Sequence, residues 1–386
     1  MKNAPVLVKI LILSLLIPTE LSFDLAGLRL SAYRVVLLLL VLPVVVRYIS
    51  LKQKHRADIF ILLFSFWLIL SMIINHGLEG GLKSGGIMAL ETLLPYFIAR
   101  TYITKIENLL PTLKFYISCI CVIAIFAVYE SYTGSNIYKQ LFGVYSEVGE
   151  QRIGLFRATV AFDHPILLAV MAAVSLPMWM TIYGGKKSYI RLGALITAAL
   201  SSLSSIAFLM LAMQFVVYFY QKLLLISYKK YIASFVVVYA VVDLVANRKP
   251  IEILLSYLTL DPQTGYFRIL IWQYGLESVY NNLLFGIGYH EWVRLGDMPK
   301  SVDSIWLLLA MRHGIPALFL LSAVIYWALK RHKSKENVKL DNYLTLSIIV
   351  LILAGFTVHY WNATYVFLFF LIGLNINMFS YDRKSN

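Results

Sequence analysis

An all-α polytopic membrane protein with about twelve transmembrane helices is the fold class this sequence predicts, on three observations. Of its 386 residues, 60% are hydrophobic and 14% charged, whereas soluble domains sit near half apolar and a quarter charged. Mean hydropathy is +0.75. The lysines and arginines fall in short clusters between apolar runs, the pattern that the positive-inside rule produces. A net charge of +14 therefore speaks for membrane lipids or an anionic substrate as partner, and against nucleic acid.

Taken in order, apolar runs bounded by charge, Gly or Pro place spans at 5–18, 31–49, 58–75, 87–104, 113–130, 164–183, 190–205, 206–225, 231–247, 304–329, 341–358 and 361–379. The first opens like a secretory signal but lacks a small-x-small cleavage site, so a retained helix is expected. Cys119 and Cys121 lie two apart in one apolar run, point to different faces of a helix, and read as core residues without a disulfide role. Basic clusters at 52–56, 186–191, 222–230 and 330–335 all fall on the cytoplasmic side if both termini are inside. Charges within spans are few: Glu91, Arg100, Asp243, Arg312 and His313, with Glu91 and Asp243 read as structural partners of arginines.

The chain then forms a single integral membrane domain, 1–386, with two long outer loops at 131–163 and 248–303. Loops of that length in a compact protein usually carry function. The larger contains TGYFRILIWQYGLESVYNNLLFGIG at 264–288. Its helical part, Phe267 to Tyr280, would be about 20 Å long, too short for a hydrocarbon core of ~30 Å, which predicts a short interfacial helix. At 100° per residue, Arg268 shares a face with Trp272, Gly275 and Val279, while Gln273 and Glu277 lie opposite. An arginine reaching for water would join the polar face, so this one is expected to point into a packed cavity.

Other chemistries lack their signatures. GLEGGLKSGG at 77–86 resembles a phosphate loop only superficially, since Lys83 follows Leu82 and no strand precedes it, and it reads as a flexible outer turn. No His, Cys or carboxylate cluster has zinc spacing and no nucleophile elbow is present, so neither metal nor cofactor is expected. Arg152 and Arg157 precede Asp163-His164-Pro165, where either Asp163 or His164 caps the helix that follows, or that helix start, the arginines and His164 together form an anion site. Asp303 and Ser304 stand before an apolar helix interrupted at Gly314 and Pro316, where Asp303 either caps or holds a carboxylate at the outer surface.

Together these pieces resemble the O-antigen ligase/polymerase family of bacterial envelope polysaccharide enzymes. The matching segments run in order: LSFDLAGLRLSAYR at 21–34; Arg157-Ala158 with Phe162-x-His164-Pro165-Ile166; Gly265-x-x-Arg268-x-x-x-Trp272 followed by Gly286-x-Gly288; and Asp303-Ser304 ahead of Gly314-Ile315. Two departures bear on the activity. Ligases usually carry His where this chain has Asp303, and many members have Ser-Arg-Gly where it reads Ser204-Ser205-Ile206. Both favour repeat-unit polymerisation over ligation.

The resemblance implies a GT-C-like fold in the bacterial inner membrane and metal-independent glycosyl transfer on its periplasmic face, which would make the outer loops periplasmic. The donor would be an oligosaccharide on undecaprenyl pyrophosphate, and the acceptor another lipid-linked repeat unit. A chain-length regulator would be a possible protein partner. Arg268 would hold the pyrophosphate with Arg157 and Arg152, and Asp303 would act as base, with His164 and His290 in reserve. Trp272, Tyr289 and Trp292 would stack on sugar rings. The alternatives are ligase-type transfer to another acceptor and, from another class, a lipid-linked oligosaccharide flippase.

Overall fold

The computed structural model describes residues 3–25, 27–182, 188–219, 228–245, 262–330 and 338–381. Within them the chain is predominantly helical. Four helices are long and apolar enough to cross a membrane: α2 (Ala32–Ile49), α3 (Arg56–Tyr102), α4 (Ile106–Thr133) and the nearly continuous pair α6 (Pro165–Ala173) and α7 (Ser175–Ile182). The remaining helices are α1 (Val6–Ser14), α5 (Ile137–Leu141), α8 (Tyr189–Leu200), α9 (Ser205–Phe219), α10 (Tyr228–Val245), α11 (Pro262–Asn281), α12 (Ile305–His313), α13 (Ile315–Leu329), α14 (Val338–Ala354) and α15 (Asn362–Tyr381). Within the described residues, each of the twelve apolar runs read from the sequence contains helix. Parts of the expected loops and spans, including 220–225, 246–261 and 331–337 with their basic residues, lie outside the described residues.

Two short hairpins interrupt the all-α pattern. β1 (Ser22–Leu25) pairs antiparallel with β2 (Leu28–Ser31), and β3 (Gln151–Arg152) with β4 (Leu155–Phe156). The second turns on Ile153 and Gly154, both at positive φ (55° and 76°), the backbone that a tight two-residue hairpin requires.

Three departures from the sequence reading matter for the site. α3 unites two expected spans around a break at Gly77 (φ 72°, ψ 175°). The stretch 77–86, expected as a flexible turn, is helical beyond the break at Gly77, and two of its glycines pack against backbone. A Cβ on Gly81 would sit 2.3 Å from Ile73 Cα, and one on Gly85 2.7 Å from Ile69 Cα. Small residues here serve close helix packing. The second departure is α11, which starts at Pro262 and runs for 20 residues, about 30 Å, so the length argument for a short helix fails. Composition, not length, sets it apart from the membrane-crossing helices. Third, the division between α8 and α9 falls at 201–204, where Leu203 adopts φ 46°.

The core is one large apolar cluster spanning α1 to α4, α6 to α9 and α12 to α15. A smaller cluster joins Ile271 and Val279 of α11 to Leu307, Leu308 and Met311 of α12. Gly275 makes that contact possible, since a Cβ there would lie 2.8 Å from Leu307 Cδ2. Beyond α11 the chain hydrogen-bonds to the end of α12: Ile287 N donates to Met311 O (2.7 Å) and Gly288 N to Arg312 O (3.0 Å). Gly314 (φ 77°) sits against this crossing, where a Cβ would meet Leu284 O at 1.9 Å. The Gly286-x-Gly288 and Gly314 pair thus locks α11 to the helix that follows Asp303.

Candidate functional site

A cavity of about 330 Å³ lies among β3, the segment 157–166, the 201–205 break, α11, the start of α12 and the turn at 358–361. Arg152, Arg157 and Arg268 line it together with His164, Asp303, His359 and Trp361.

Arg157 is carried by a segment under strong local control. Glu130, near the end of α4, accepts from Thr159 N (3.0 Å), Thr159 Oγ1 (3.0 Å) and Val160 N (2.8 Å), and from Asn136 Nδ2 (3.2 Å). These bonds hold Val160 at φ 51°, an unfavourable backbone for a β-branched residue. The 201–203 break supplies carbonyls below the arginines. Ala158 N donates to Ser201 O (3.0 Å), Arg157 Nε to Ser202 O (3.3 Å) and Arg152 Nη1 to Leu203 O (3.4 Å). Glu150, mostly exposed, pairs with Arg157 at 2.9 Å and more loosely with Arg152 at 3.5 Å. Burial lowers the pKa of Arg157, against the pull of Glu150.

Arg268 points where its helical phase placed it. Gly265, Ile271, Gly275 and Val279 are buried, and Gln273 and Glu277 are exposed. Its Nε lies 3.8 Å from Asp303 Oδ2 but is buried without a hydrogen-bond partner. Burial pulls the guanidinium pKa down, and Asp303 opposes that pull. An unsatisfied buried donor of this kind costs about 1–3 kcal/mol until something accepts from it.

The two helix starts resolve which residues cap. Ser304 caps α12, with Oγ accepting from Leu307 N (3.3 Å) and donating to Gly355 O (3.1 Å). Asp303 is therefore free of capping, and burial raises its pKa despite Arg268. His164 caps α6, its Nδ1 accepting from Ile166 N (3.2 Å), which leaves the proton on Nε2. Burial and the neighbouring arginines push its pKa down to about 4. A neutral imidazole with its acceptor nitrogen engaged can donate to a ligand but is a poor base. Asp163 accepts from Thr19 and from Asn362 (3.1 Å), tying α15 to the chain after α1.

Other expected residues stand elsewhere. Trp272 stacks with Phe356 (centroids 6.3 Å apart) and packs in the smaller core. Trp292 is buried there too. Tyr289 lines a neighbouring cavity, and His290 stacks on His76 with centroids 4.7 Å apart. Sequence reasoning missed His359 and Trp361, whose rings meet at a tilt with centroids 5.2 Å apart; Trp361 also approaches His164 at 6.2 Å. Burial, then Arg312, pushes the His359 pKa down to about 3. The one available signal was an aromatic cluster, His-Tyr-Trp, between two apolar runs.

Chemically, three guanidiniums with one acceptor-free Nε suit a phosphate or pyrophosphate, and Asp303 is the carboxylate placed beside them. Comparison with protein-family models and with curated proteins finds no match for the chain.

Proposed function

We propose that the protein is an envelope polysaccharide polymerase of the O-antigen ligase/polymerase type, joining lipid-linked repeat units on the outer face of a bacterial inner membrane. The observation that carries this reading is the convergence of Arg152, Arg157 and Arg268 on one cavity beside Asp303, with Arg268 Nε unsatisfied. Twelve spans with both termini cytoplasmic would place this cavity at the periplasmic side.

On this reading the donor's pyrophosphate occupies the arginines. The acceptor hydroxyl attacks the anomeric carbon, the new glycosidic bond forms, and the bond to undecaprenyl pyrophosphate breaks. Asp303 accepts the hydroxyl proton, and the arginines stabilise the charge that develops on the departing pyrophosphate. Trp361 offers an aromatic face for the sugar.

Two of the buried arginines, Arg100 and Arg34, support an enzyme over a flippase, because each is tied to a carboxylate. Arg100 binds Asp58 (3.0 and 3.1 Å) and Asn377, and Arg34 binds Glu91 (2.7 Å). The deciding experiment incubates purified protein with lipid-linked repeat units and follows product length. A ladder supports polymerisation. A single transfer to a different acceptor makes it a ligase, and lipid crossing in vesicles without any product rules out the enzyme.

A further inference from the structure

A second cavity, of about 310 Å³, shares His359 and Trp361 with the first, so the 359–361 turn forms a wall of both. The charges lining it do not cancel. Arg34 is neutralised by Glu91, which also accepts from Tyr33 Oη (2.7 Å). Arg312, by contrast, has no carboxylate at ion-pair distance among the described residues; its guanidinium lies over the Tyr289 ring, 4.7 Å from the centroid. An uncompensated arginine among apolar helices is costly, and such residues mark ligand sites.

His313 beside it is fully buried and lines the same cavity. Its Nδ1 lies 2.6 Å from Ser71 Oγ, and Ser71 donates its own proton to Leu68 O (3.0 Å). The imidazole proton therefore sits on Nδ1, leaving a lone pair on Nε2, and Nε2 has no hydrogen-bond partner. The cavity thus asks for an anion at Arg312 and a hydroxyl at His313, between the aromatic faces of Tyr289 and Trp361.

We propose that this second cavity is a subsite for a sugar bearing one negative charge, its anionic group on Arg312 and a hydroxyl donating to His313 Nε2. The anion is a ring carboxylate, as in a hexuronic acid, or a sugar phosphate; both fit the guanidinium fork. Identifying this sugar as part of the glycosyl acceptor rests on the polymerase reading, whereas the subsite itself does not.

The test titrates the full chain in detergent micelles with a hexuronate glycoside, a hexose phosphate and a neutral hexose glycoside, in wild type, Arg312→Gln and Arg268→Ala. Expected is a preference of ~10-fold or more for at least one anionic sugar over the neutral one, set by a charge-assisted contact. That preference persists in Arg268→Ala and vanishes in Arg312→Gln. Preference for hexuronate alone assigns a carboxylate, and preference for the phosphate alone assigns a phosphate. Equal binding of charged and neutral sugars overturns the proposal, as does a preference lost in Arg268→Ala, which would place the ligand in the first cavity. Should Arg312→Gln fail to fold, the wild-type and Arg268→Ala titrations decide. Neither depends on turnover, so a protein that does not polymerise still answers the question.

Discussion

Asp303 faces Arg268 at 3.8 Å while the adjacent Ser304 caps the helix, so the carboxylate is held at the cavity without a structural duty to the helix start. Its position follows from the α11–α12 packing at Gly275 and from the backbone crossing at Gly286 and Gly314. A carboxylate freed from capping and next to an unsatisfied guanidinium suits proton transfer.

Asp303→Asn should lower turnover by ~10²–10⁴-fold, the usual range for a general base. Burial raises the Asp303 pKa, so the acid limb of the wild-type rate profile should lie above the ordinary aspartate range. The residual activity of the variant should show no such limb. A rate-versus-pH series on both proteins checks this, and an unchanged acid limb in the variant would transfer the role to another group.

His164→Asn separates capping from catalysis. Asn is a good N-cap, so this variant should keep its folding and most of its activity, whereas His164→Ala should lose about 1 kcal/mol of stability. Turnover reduced ~10²-fold in both variants would show that the imidazole acts in the chemistry.

Acidification should destabilise the fold. The folded-state pKa values of His164 and His359 are depressed to about 4 and about 3, while an unfolded histidine titrates near ~6.5. Between those limits the unfolded chain binds protons that the folded chain does not. Stability is therefore full above about 6.5 and falls as pH drops through that window. Thermal denaturation in detergent at neutral and acid pH should show the loss, and His359→Gln should reduce it. A melting temperature independent of pH across the window contradicts the burial assigned to these rings.

At the opposite end of the bundle, Asp58 receives both Arg100 (3.0 Å) and Tyr96 Oη (2.6 Å) in full burial. Asp58→Asn leaves a buried guanidinium without its counter-charge and should cost ~3–5 kcal/mol. Expression and thermal stability should fall together, with activity per folded molecule unchanged. A variant that folds normally but turns over slowly would instead tie this pair to function.

Much of the fold is legible in the sequence because long apolar runs leave few alternatives to helix. The phase of α11 was legible too, since Gln273 and Glu277 mark the wet side opposite Arg268. Its start was not read, although Pro262 is well suited to a first helical turn. The 77–86 glycines read as a turn by local propensity, but the tight packing of Gly81 against Ile73 and of Gly85 against Ile69 is a tertiary fact. His359 and Trp361 reach the cavity because α15 is docked through Asn362 and Asp163, a contact across 199 residues of chain that no local pattern encodes. Tertiary packing, which no local pattern encodes, sets Trp272 into the smaller core and Tyr289 beside the second cavity instead of next to Arg268.

On the polymerase reading, Arg268 holds the pyrophosphate of a lipid-linked donor. Turnover of lipid-linked repeat units by Arg268→Ala and Arg268→Lys, with correct insertion verified for each, tests it most directly. Loss of one guanidinium aimed at developing charge should reduce turnover by ~10²–10³-fold in Arg268→Ala. Arg268→Lys should not restore it, because an ammonium lacks the planar fork. Full activity in a correctly folded Arg268→Ala protein would contradict the account.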